Sequence, residues 1–123
     1  MISTKELLHC GAWLREYANP KFTNPLNHIR LSEDNTFEHN IRVCEVCITL
    51  LTMGVPFYTE VRLKCGNRPD VVCPTHVKSI IEVFHTETMK SFNVKKRPKL
   101  PSELMDDVIF VCTSKVFKEK DIL

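Results

Sequence analysis

The stretch "GNRPDVVCPTHVKSIIEVFHTET", residues 66–88, decides the fold because it holds two apolar runs that follow a turn. Gly66 and Asn67 suit a tight turn between the preceding run "PFYTEVRLKC" and the run "RPDVVC", and both runs have the composition of strands. The run "VKSIIEVFH" is predicted to be a third strand. Since side chains alternate along a strand, Asp70 and Glu82 fall on one face of the sheet if these strands pair. The sequence therefore predicts a hairpin, a third strand and two neighbouring carboxylates.

Two helices are predicted before the hairpin. Ser3 and Glu6 form a capping box that starts a helix over residues 3–17. A second helix runs from about Phe37 to Met53. The apolar positions expected to face the core are Leu7, Leu8, Ala12 and Leu14 in the first helix, and Phe37, Ile41, Cys44, Ile48 and Leu51 in the second.

The order of the elements gives the fold class. A helix is predicted over residues 87–97, the run "DVIFVC" is a fourth strand, and a tail begins at Ser114. This order predicts an α/β fold, a small mixed sheet with flanking helices, in which the hairpin is antiparallel and a parallel crossover joins the last two strands. The 123 residues are expected to form a single domain, 1–123, with an N-terminal helix and loop (1–35), a core (36–113) and a C-terminal tail (114–123).

Composition sets only broad limits on function. The net charge is +2, and no apolar run approaches the roughly 18 residues of a membrane-spanning helix. The first residues include Lys5 and Glu6, which are not typical of a signal peptide. We therefore expect a soluble intracellular protein, in the host cytoplasm if it is viral, with no membrane partner. In a reducing compartment its six cysteines are expected to be thiols or metal ligands.

The predicted acidic pair has a direct chemical consequence. Two carboxylates a few ångströms apart repel each other, and each resists ionisation unless a cation lies between them. Such oxygen ligands suit Mg²⁺ or Mn²⁺, which bind one or two carboxylates together with waters and substrate phosphate. An ion of this kind polarises a phosphodiester and makes a bound water more acidic. Asp70 and Glu82 are thus candidate metal ligands.

The sequences "RPD" at 68–70 and "IIEVF" at 80–84 resemble the motif of the PD-(D/E)XK nuclease superfamily, which includes archaeal Holliday junction resolvases and restriction endonucleases. The resemblance covers about residues 36–113 and implies a restriction-endonuclease-like core of helix, strand, strand, strand, helix and strand. It also implies a metal-dependent DNA endonuclease that hydrolyses phosphodiester bonds.

The resemblance assigns roles residue by residue. It makes Asp70 and Glu82 the motif acids, and Glu38 near the start of the second helix is the best match for a third metal ligand. Glu45, two turns further along the same polar stripe, is the second choice. Phe84 stands where the family has a lysine that serves the attacking water.

A phenyl ring can neither hold a water nor stabilise charge, so the lysine has either migrated or been lost. Lys90 and Lys95 are the preferred catalytic replacements, ahead of Lys64 and Lys78. We expect Phe84 to pack against the second helix near Ile41 or Glu45, where burial of its ring contributes about 1.5–3 kcal/mol.

A basic segment follows the third strand. Residues 90–99 carry five positive charges and no negative charge. Such a run beside an acidic site is expected to grip a phosphate backbone. With one residue from the hairpin added, the candidate DNA-binding residues are Arg68, Lys90, Lys95, Lys96, Arg97 and Lys99. A nuclease this small needs two copies to cut two strands, so a homodimer is predicted.

Each of these assignments has a structural alternative. Asp70 could be an ordinary turn residue, and Arg68 could pair with Glu82. Glu38 could belong to a capping box with Asn35 as its N-cap. The basic segment could be a solvated face.

The cysteines offer a separate alternative. One alternative is a zinc site, for which the candidate ligands are Cys44, Cys47, Cys65, Cys73 and His76. A disulfide between Cys65 and Cys73 is another. Two further functions therefore remain beside the nuclease, a catalytically inactive DNA-binding module and a zinc- or disulfide-stabilised interaction domain.

Overall fold

A four-stranded mixed sheet forms the centre of the structure. The computed structural model describes residues 2–123, with the side chains of 86–88 excepted. The strands, β1 (Tyr58–Thr59), β2 (Val71–Val72), β3 (Ile80–Phe84) and β4 (Val108–Cys112), lie in the order β1-β2-β3-β4. β2 pairs antiparallel with both β1 and β3, whereas β3 and β4 are parallel. The predicted α/β class, antiparallel hairpin and parallel crossover are confirmed.

The two long helices begin near the predicted positions. α1 (Thr4–Tyr17) starts with the expected capping box at Ser3. α2 spans Phe37–Thr52. Its N-cap is Thr36, whose side chain accepts a hydrogen bond from the backbone N–H of His39 at 3.2 Å, so the assignment of this role to Asn35 is wrong.

The crossover between β3 and β4 is helical but irregular. α3 (Thr86–Ser91) continues into a π-helical turn, Phe92–Lys96, and then into a 3₁₀ turn, Arg97–Lys99. Two further 3₁₀ turns, Ser102–Leu104 and Glu119–Ile122, precede β4 and close the chain. The π-helical turn widens the helix at the point where the basic segment passes over the sheet.

The sheet separates two apolar clusters, because neighbouring residues of each strand point to opposite faces. Ile80 lies in the cluster that includes Trp13 of α1 and Phe92 of the π-helical turn. Ile81 lies in the cluster that includes Val46 of α2. The molecule therefore has three layers, with α1 and the π-helical turn on one face of the sheet and α2 on the other.

The buried stripes of the two helices differ in part from those predicted. α1 buries Cys10 and Trp13, and the predicted Leu14 packs half-buried against the same cluster, whereas Leu7 and Leu8 are exposed. α2 carries two apolar stripes. The stripe packed on the sheet consists of Val43, Val46, Cys47 and Leu50, whereas Phe37, Ile41, Ile48 and Leu51 are exposed. Helical spacing identified a real stripe on α2, but spacing alone cannot say which of two stripes meets the sheet.

The hairpin is looser than its sequence predicts. β1 and β2 have two residues each, and the segment between them turns away from the ladder. Leu63 forms an isolated antiparallel bridge with Ala18, and its N–H donates to the carbonyl of Asn67 at 2.8 Å. Gly66 has a φ of +98°, a value that favours glycine. Residues 60–70 therefore form a broad loop, and not two long strands joined by a two-residue turn.

The alternative of a disulfide between Cys65 and Cys73 is not realised in this fold. None of the six cysteines forms a disulfide. Cys65 packs against the α1 side of the sheet and Cys73 belongs to the α2 side, so these two cannot form a disulfide. Among the side chains that the structure describes, those of residues 2–123 without 86–88, no three of His, Cys, Asp or Glu are grouped to hold a metal ion. None of the helices in that range is long and apolar enough to cross a bilayer.

Candidate functional site

A cleft of about 970 Å³ opens at the end of the sheet where β3 meets the start of α2. Its walls come from residues 30–36, from the broad loop 60–70 and from residues 91–99 of the basic segment. Glu82 and Phe84 of β3 contribute to its lining. The irregular elements of the fold, the loose hairpin and the π-helical turn, thus form the walls of one cavity.

Asp70 and Glu82 lie side by side in this cleft. The pairing of Val71 with Ile81 places Asp70, the preceding residue, opposite Glu82 and on the same face of the sheet. One Asp70 oxygen, Oδ2, accepts a hydrogen bond from the backbone N–H of Val83 at 2.8 Å. The Glu82 carboxyl is close enough to Asp70 for a hydrogen bond between the two side chains. The expected juxtaposition of the two acids is therefore present.

The two carboxyl groups cannot both be ionised easily. Burial raises the pKa of Glu82 to about 8, and the negative charge of Asp70 and a hydrogen bond from the protonated Glu82 carboxyl to Asp70 act in the same direction. The positive charge of Lys96 opposes this shift. The Glu82 carboxyl therefore holds its proton more tightly than an exposed glutamate does, and Asp70 beside it carries the negative charge of the pair.

His39 is the third titratable group at the pair, and the sequence did not indicate it. Its Nε2 lies 3.2 Å from Asp70 Oδ1. A hydrogen bond to Asp70 raises the pKa of His39, with burial acting against it and the charge of Asp70 and the Val83 backbone adding to it. One signal could have revealed this residue. His39 lies one turn before Val43, so it belongs to the stripe of α2 that faces the sheet.

Positive side chains surround the acidic pair. Those that line the cleft are Arg30, Arg62, Arg68, Lys95, Lys96 and Lys99. Four of them were predicted from the sequence, whereas Arg30 and Arg62 were not. Arg30 lies in a predicted loop and Arg62 in a predicted strand, and neither belongs to a cluster of positive residues in the sequence.

Two predicted DNA-binding residues lie elsewhere. Lys90 is exposed and does not line the cleft. Arg97 points away from it: the guanidinium donates to the Met105 carbonyl at 2.5 Å and stacks over the rings of Phe92 and Phe110. Arg97 therefore holds the crossover segment onto the sheet.

The acids proposed for α2 are also outside the cleft. Glu38 is exposed and does not line the cavity. Glu45 pairs with Arg42 at 3.3 Å and does not line the cavity either. The position nearest to Asp70 on α2 is held by His39 instead, because the first turn of the helix presents residue 39 to the sheet.

Of the lysines considered as replacements for the catalytic lysine, Lys64 and Lys78 are bound to backbone carbonyls and Lys95 lines the cleft. The ammonium group of Lys64 donates to the Arg15 carbonyl at 2.7 Å, and that of Lys78 donates to the Asp106 carbonyl at 2.6 Å. Lys95 lines the cleft, and its neighbour Lys96 is the lysine whose charge acts on Glu82.

Phe84 faces the cleft side of the sheet, as Glu82 does, but its predicted contact with α2 is wrong. Its ring meets Phe110 edge to face at 5.5 Å, and Phe110 meets Phe92 in the same way at 5.2 Å. Alternation along β3 explains the error, since Val83 is the residue that packs with the α2 cluster. Phe84, Phe110 and Phe92 thus form a row of three aromatic rings under the basic segment.

The predicted pairing of Arg68 with Glu82 is absent, although Arg68 lines the same cleft. In the part of the chain that the structure describes, the ion pairs are His39–Asp70, Arg42–Glu45 and Arg97–Asp106. The side chains of residues 86–88, which follow β3, lie outside the described residues.

Comparison with known proteins gives no relative. No family model, curated protein or solved structure matches this chain. The site must therefore be interpreted from its own geometry.

Proposed function

We propose that this chain is a divalent-metal-dependent nuclease that hydrolyses phosphodiester bonds in DNA, built on a restriction-endonuclease-like core. The observation that carries the proposal is the acidic pair, Asp70 and Glu82, inside a cleft that six positive side chains line. A phosphate backbone meets those positive charges, and the acidic pair supplies the ligands that Mg²⁺ or Mn²⁺ requires. The motif resemblance supports the same assignment.

The donor set suits such an ion. Asp70 and Glu82 offer oxygen ligands, and the repulsion between their negative charges, which contributes to the raised pKa of Glu82, would be relieved by a cation bound between them. Mg²⁺ commonly binds one or two carboxylates and takes its other ligands from water and substrate phosphate, so a third protein acid is not required. When bound, the ion neutralises phosphate charge and makes a bound water more acidic.

The other residues of the cleft orient the Asp70 carboxylate and bind the phosphates of the DNA. The hydrogen bonds from Val83 and His39 fix the direction of the Asp70 carboxylate. Lys96, and beside it Lys95, supply the positive charge that Phe84 cannot provide. The arginines and Lys99 hold phosphates along the walls of the cleft.

One observation favours a second candidate, a DNA-binding module of the same fold that does not cut. Phe84 stands in the lysine slot and is locked there by Phe110. His39, and not an acid, approaches Asp70 from α2. If neither Lys95 nor Lys96 can serve the attacking water, the cleft keeps its affinity for the backbone and loses catalysis.

Cleavage of end-labelled DNA with and without Mg²⁺ tests the proposal, with single-stranded, duplex, flap and junction substrates. Asp70→Asn and Glu82→Gln should each lower the Mg²⁺-dependent rate by more than about 100-fold, because each removes a ligand charge. Glu38→Gln is the matched control and should leave the rate unchanged. DNA binding measured by fluorescence anisotropy should persist in all three variants.

The lysines are compared in the same assay. Lys96→Met and Lys95→Ala should slow cleavage, and Lys90→Ala, a change at an exposed lysine outside the cleft, should not. Unchanged rates in both cleft variants would rule out a migrated lysine. Binding without cleavage in the wild type, with cleavage gained in Phe84→Lys, would select the DNA-binding module. Absence of both binding and cleavage on every substrate would reject the proposal.

A further inference from the structure

The cleft has apolar side chains among its positive ones. Phe84 and Phe110 both line it, and each is only half-buried. Leu31, which is 48% exposed, adds an aliphatic side chain to the same cavity. These three residues are called the apolar lining. Phosphate groups gain nothing from apolar surfaces, so this lining indicates a ligand that also has flat, weakly polar parts.

The apolar lining lies directly beside the acidic pair. Phe110 is the register partner of Glu82 in the parallel ladder of β3 and β4, so the two side chains share a face of the sheet. Phe84 follows Glu82 by two residues on that face, about 7 Å further along β3. Successive phosphates of one stacked DNA strand rise by about 3.4 Å. A phosphate at the acidic pair therefore places a base one or two nucleotides away at the level of Phe84.

Charge and aromatic surface are separated in a way that suits one DNA strand. The positive side chains that line the cleft are all exposed, and they are Arg30, Arg62, Arg68, Lys95, Lys96 and Lys99. Phe84 is instead held by its edge-to-face contact with Phe110. Mobile cations that follow the backbone, with a fixed ring on which bases stack, are the combination that binds single strands. In a duplex the neighbouring bases already cover each base face, so Phe84 finds no partner there.

The size and depth of the cleft favour the same ligand. Its volume of about 970 Å³ equals that of a cube with an edge of about 10 Å. Pockets of about 300–1,000 Å³ enclose small ligands, whereas the major groove of a duplex is alone about 12 Å wide. The Asp70 side chain is only 19% exposed. A single strand can bring a phosphate down to this carboxylate, whereas the walls of the cleft hold a whole duplex above it.

We propose that the cleft binds single-stranded DNA, with a base stacked on Phe84 and the phosphates held by the exposed cations. Of the two rings, Phe84 is the stacking surface because the Arg97 guanidinium already packs over Phe110, at 5.5 Å from its centroid. The inference rests on the proposed function, whose site it shares, and names single-stranded DNA as the substrate. Every base has a π face, so stacking gives little sequence preference.

Fluorescence anisotropy with EDTA present, which prevents cleavage, compares a short single strand with a duplex of the same sequence and length. A duplex carries twice the charge per unit length, so a cleft that bound only phosphates would favour the duplex. The wild type should instead bind the single strand more tightly. Phe84→Leu keeps an apolar side chain but loses the flat ring, so it should weaken single-strand binding by about 5-fold to 100-fold and leave duplex binding unchanged.

Two further variants separate stacking from a structural effect. Phe84→Tyr keeps the ring and should bind the single strand like the wild type. The matched control is Phe117→Leu, because Phe117 is a half-buried phenylalanine that packs with the α2 cluster and does not line the cleft. This control should change neither affinity. Circular dichroism melts establish that the variants remain folded.

A second measurement uses the wild-type protein and does not depend on the folding of any variant. A strand whose bases are replaced by abasic sites keeps its phosphates, and it should bind more weakly than the intact strand by about 5-fold or more. Equal affinity for the two strands would overturn the inference. A wild type that prefers the duplex would also overturn it, as would a folded Phe84→Leu variant with undiminished single-strand affinity. In each of these cases Mg²⁺-dependent cleavage of a duplex would leave the nuclease proposal standing, whereas absence of all DNA binding and cleavage would reject both.

Discussion

At the scale of single residues, alternation along the strands made the acidic pair predictable. Asp70 and Glu82 share a face because Val71 pairs with Ile81, and the two-residue repeat of a strand needs only the pairing to fix this. His39 could not be predicted with the same ease, because its role depends on which stripe of α2 meets the sheet. That choice is made by packing across the whole interface, and not by the spacing within the helix.

Glu82 should make the free protein less stable as the pH rises. Its pKa is raised by burial from an ordinary value of 4.5 to about 8, so the folded chain holds a proton that the unfolded chain releases between these values. Its contribution to stability is complete below the lower value and is lost as the pH passes through the upper value. Glu82→Gln, which cannot ionise, should flatten the fall in the free energy of unfolding between about pH 5 and 9.

Urea denaturation at several pH values, without divalent ions, measures this effect. The raised pKa of His39 has the same sign, so the variant should keep the smaller slope that comes from His39. An exposed acid provides the control, and Glu38→Gln should follow the wild type. If Glu82→Gln loses stability with pH as steeply as the wild type, the Glu82 carboxyl does not carry the excess proton.

At the scale of elements, helix starts were easier to predict than strand lengths. A cap is a local hydrogen bond, and Ser3 with Glu6 is readable over four residues. Strand length depends on a partner, and the apolar run from residue 56 to 65 contributes only Tyr58–Thr59 to the ladder because loop 60–70 turns away to pair with Ala18. The π-helical turn likewise depends on how Phe92 packs under the basic segment, which has no signature in the sequence.

The start of α2 gives a test at this scale. Thr36 satisfies the N–H of His39, so Thr36→Ala should lower the free energy of unfolding by about 0.5–2 kcal/mol. Asn35→Ala is the control, because Asn35 was the predicted cap and does not have that role; it should change stability much less. Chemical denaturation of the two variants at the same pH decides between them. Equal losses would mean that the cap hydrogen bond contributes nothing measurable.

At the scale of the whole molecule, the net charge conceals an uneven distribution. A value of +2 is too small to indicate a polyanionic partner, yet six positive side chains line one cleft. Only part of this clustering of positive side chains could be predicted from the sequence. Lys95, Lys96 and Lys99 form a run, whereas Arg30 and Arg62 reach the cleft through loops that the sequence does not place. Segments that are distant along the chain meet at one surface only after folding.

The salt dependence of DNA binding tests whether the positive side chains of the cleft contact DNA phosphates. Each lysine that neutralises a phosphate releases bound counterions, so the logarithm of the affinity falls with the logarithm of the salt concentration with a slope of about −0.7 to −0.9 per contact. Lys95→Ala and Lys99→Ala should each weaken binding and reduce the magnitude of that slope by nearly one contact. Anisotropy titrations between about 50 and 200 mM KCl, with EDTA present to prevent cleavage, measure both quantities.

Lys5→Ala is the matched control, since Lys5 is an exposed lysine on α1 and its removal lowers the net charge by the same single unit. If affinity depended on net charge alone, the three variants would behave alike. If the cleft binds the backbone, only Lys95→Ala and Lys99→Ala change the slope, because the Debye length of about 10 Å at 0.1 M salt screens a lysine that makes no phosphate contact. Equal slopes in all three variants would therefore place the DNA somewhere other than this cleft.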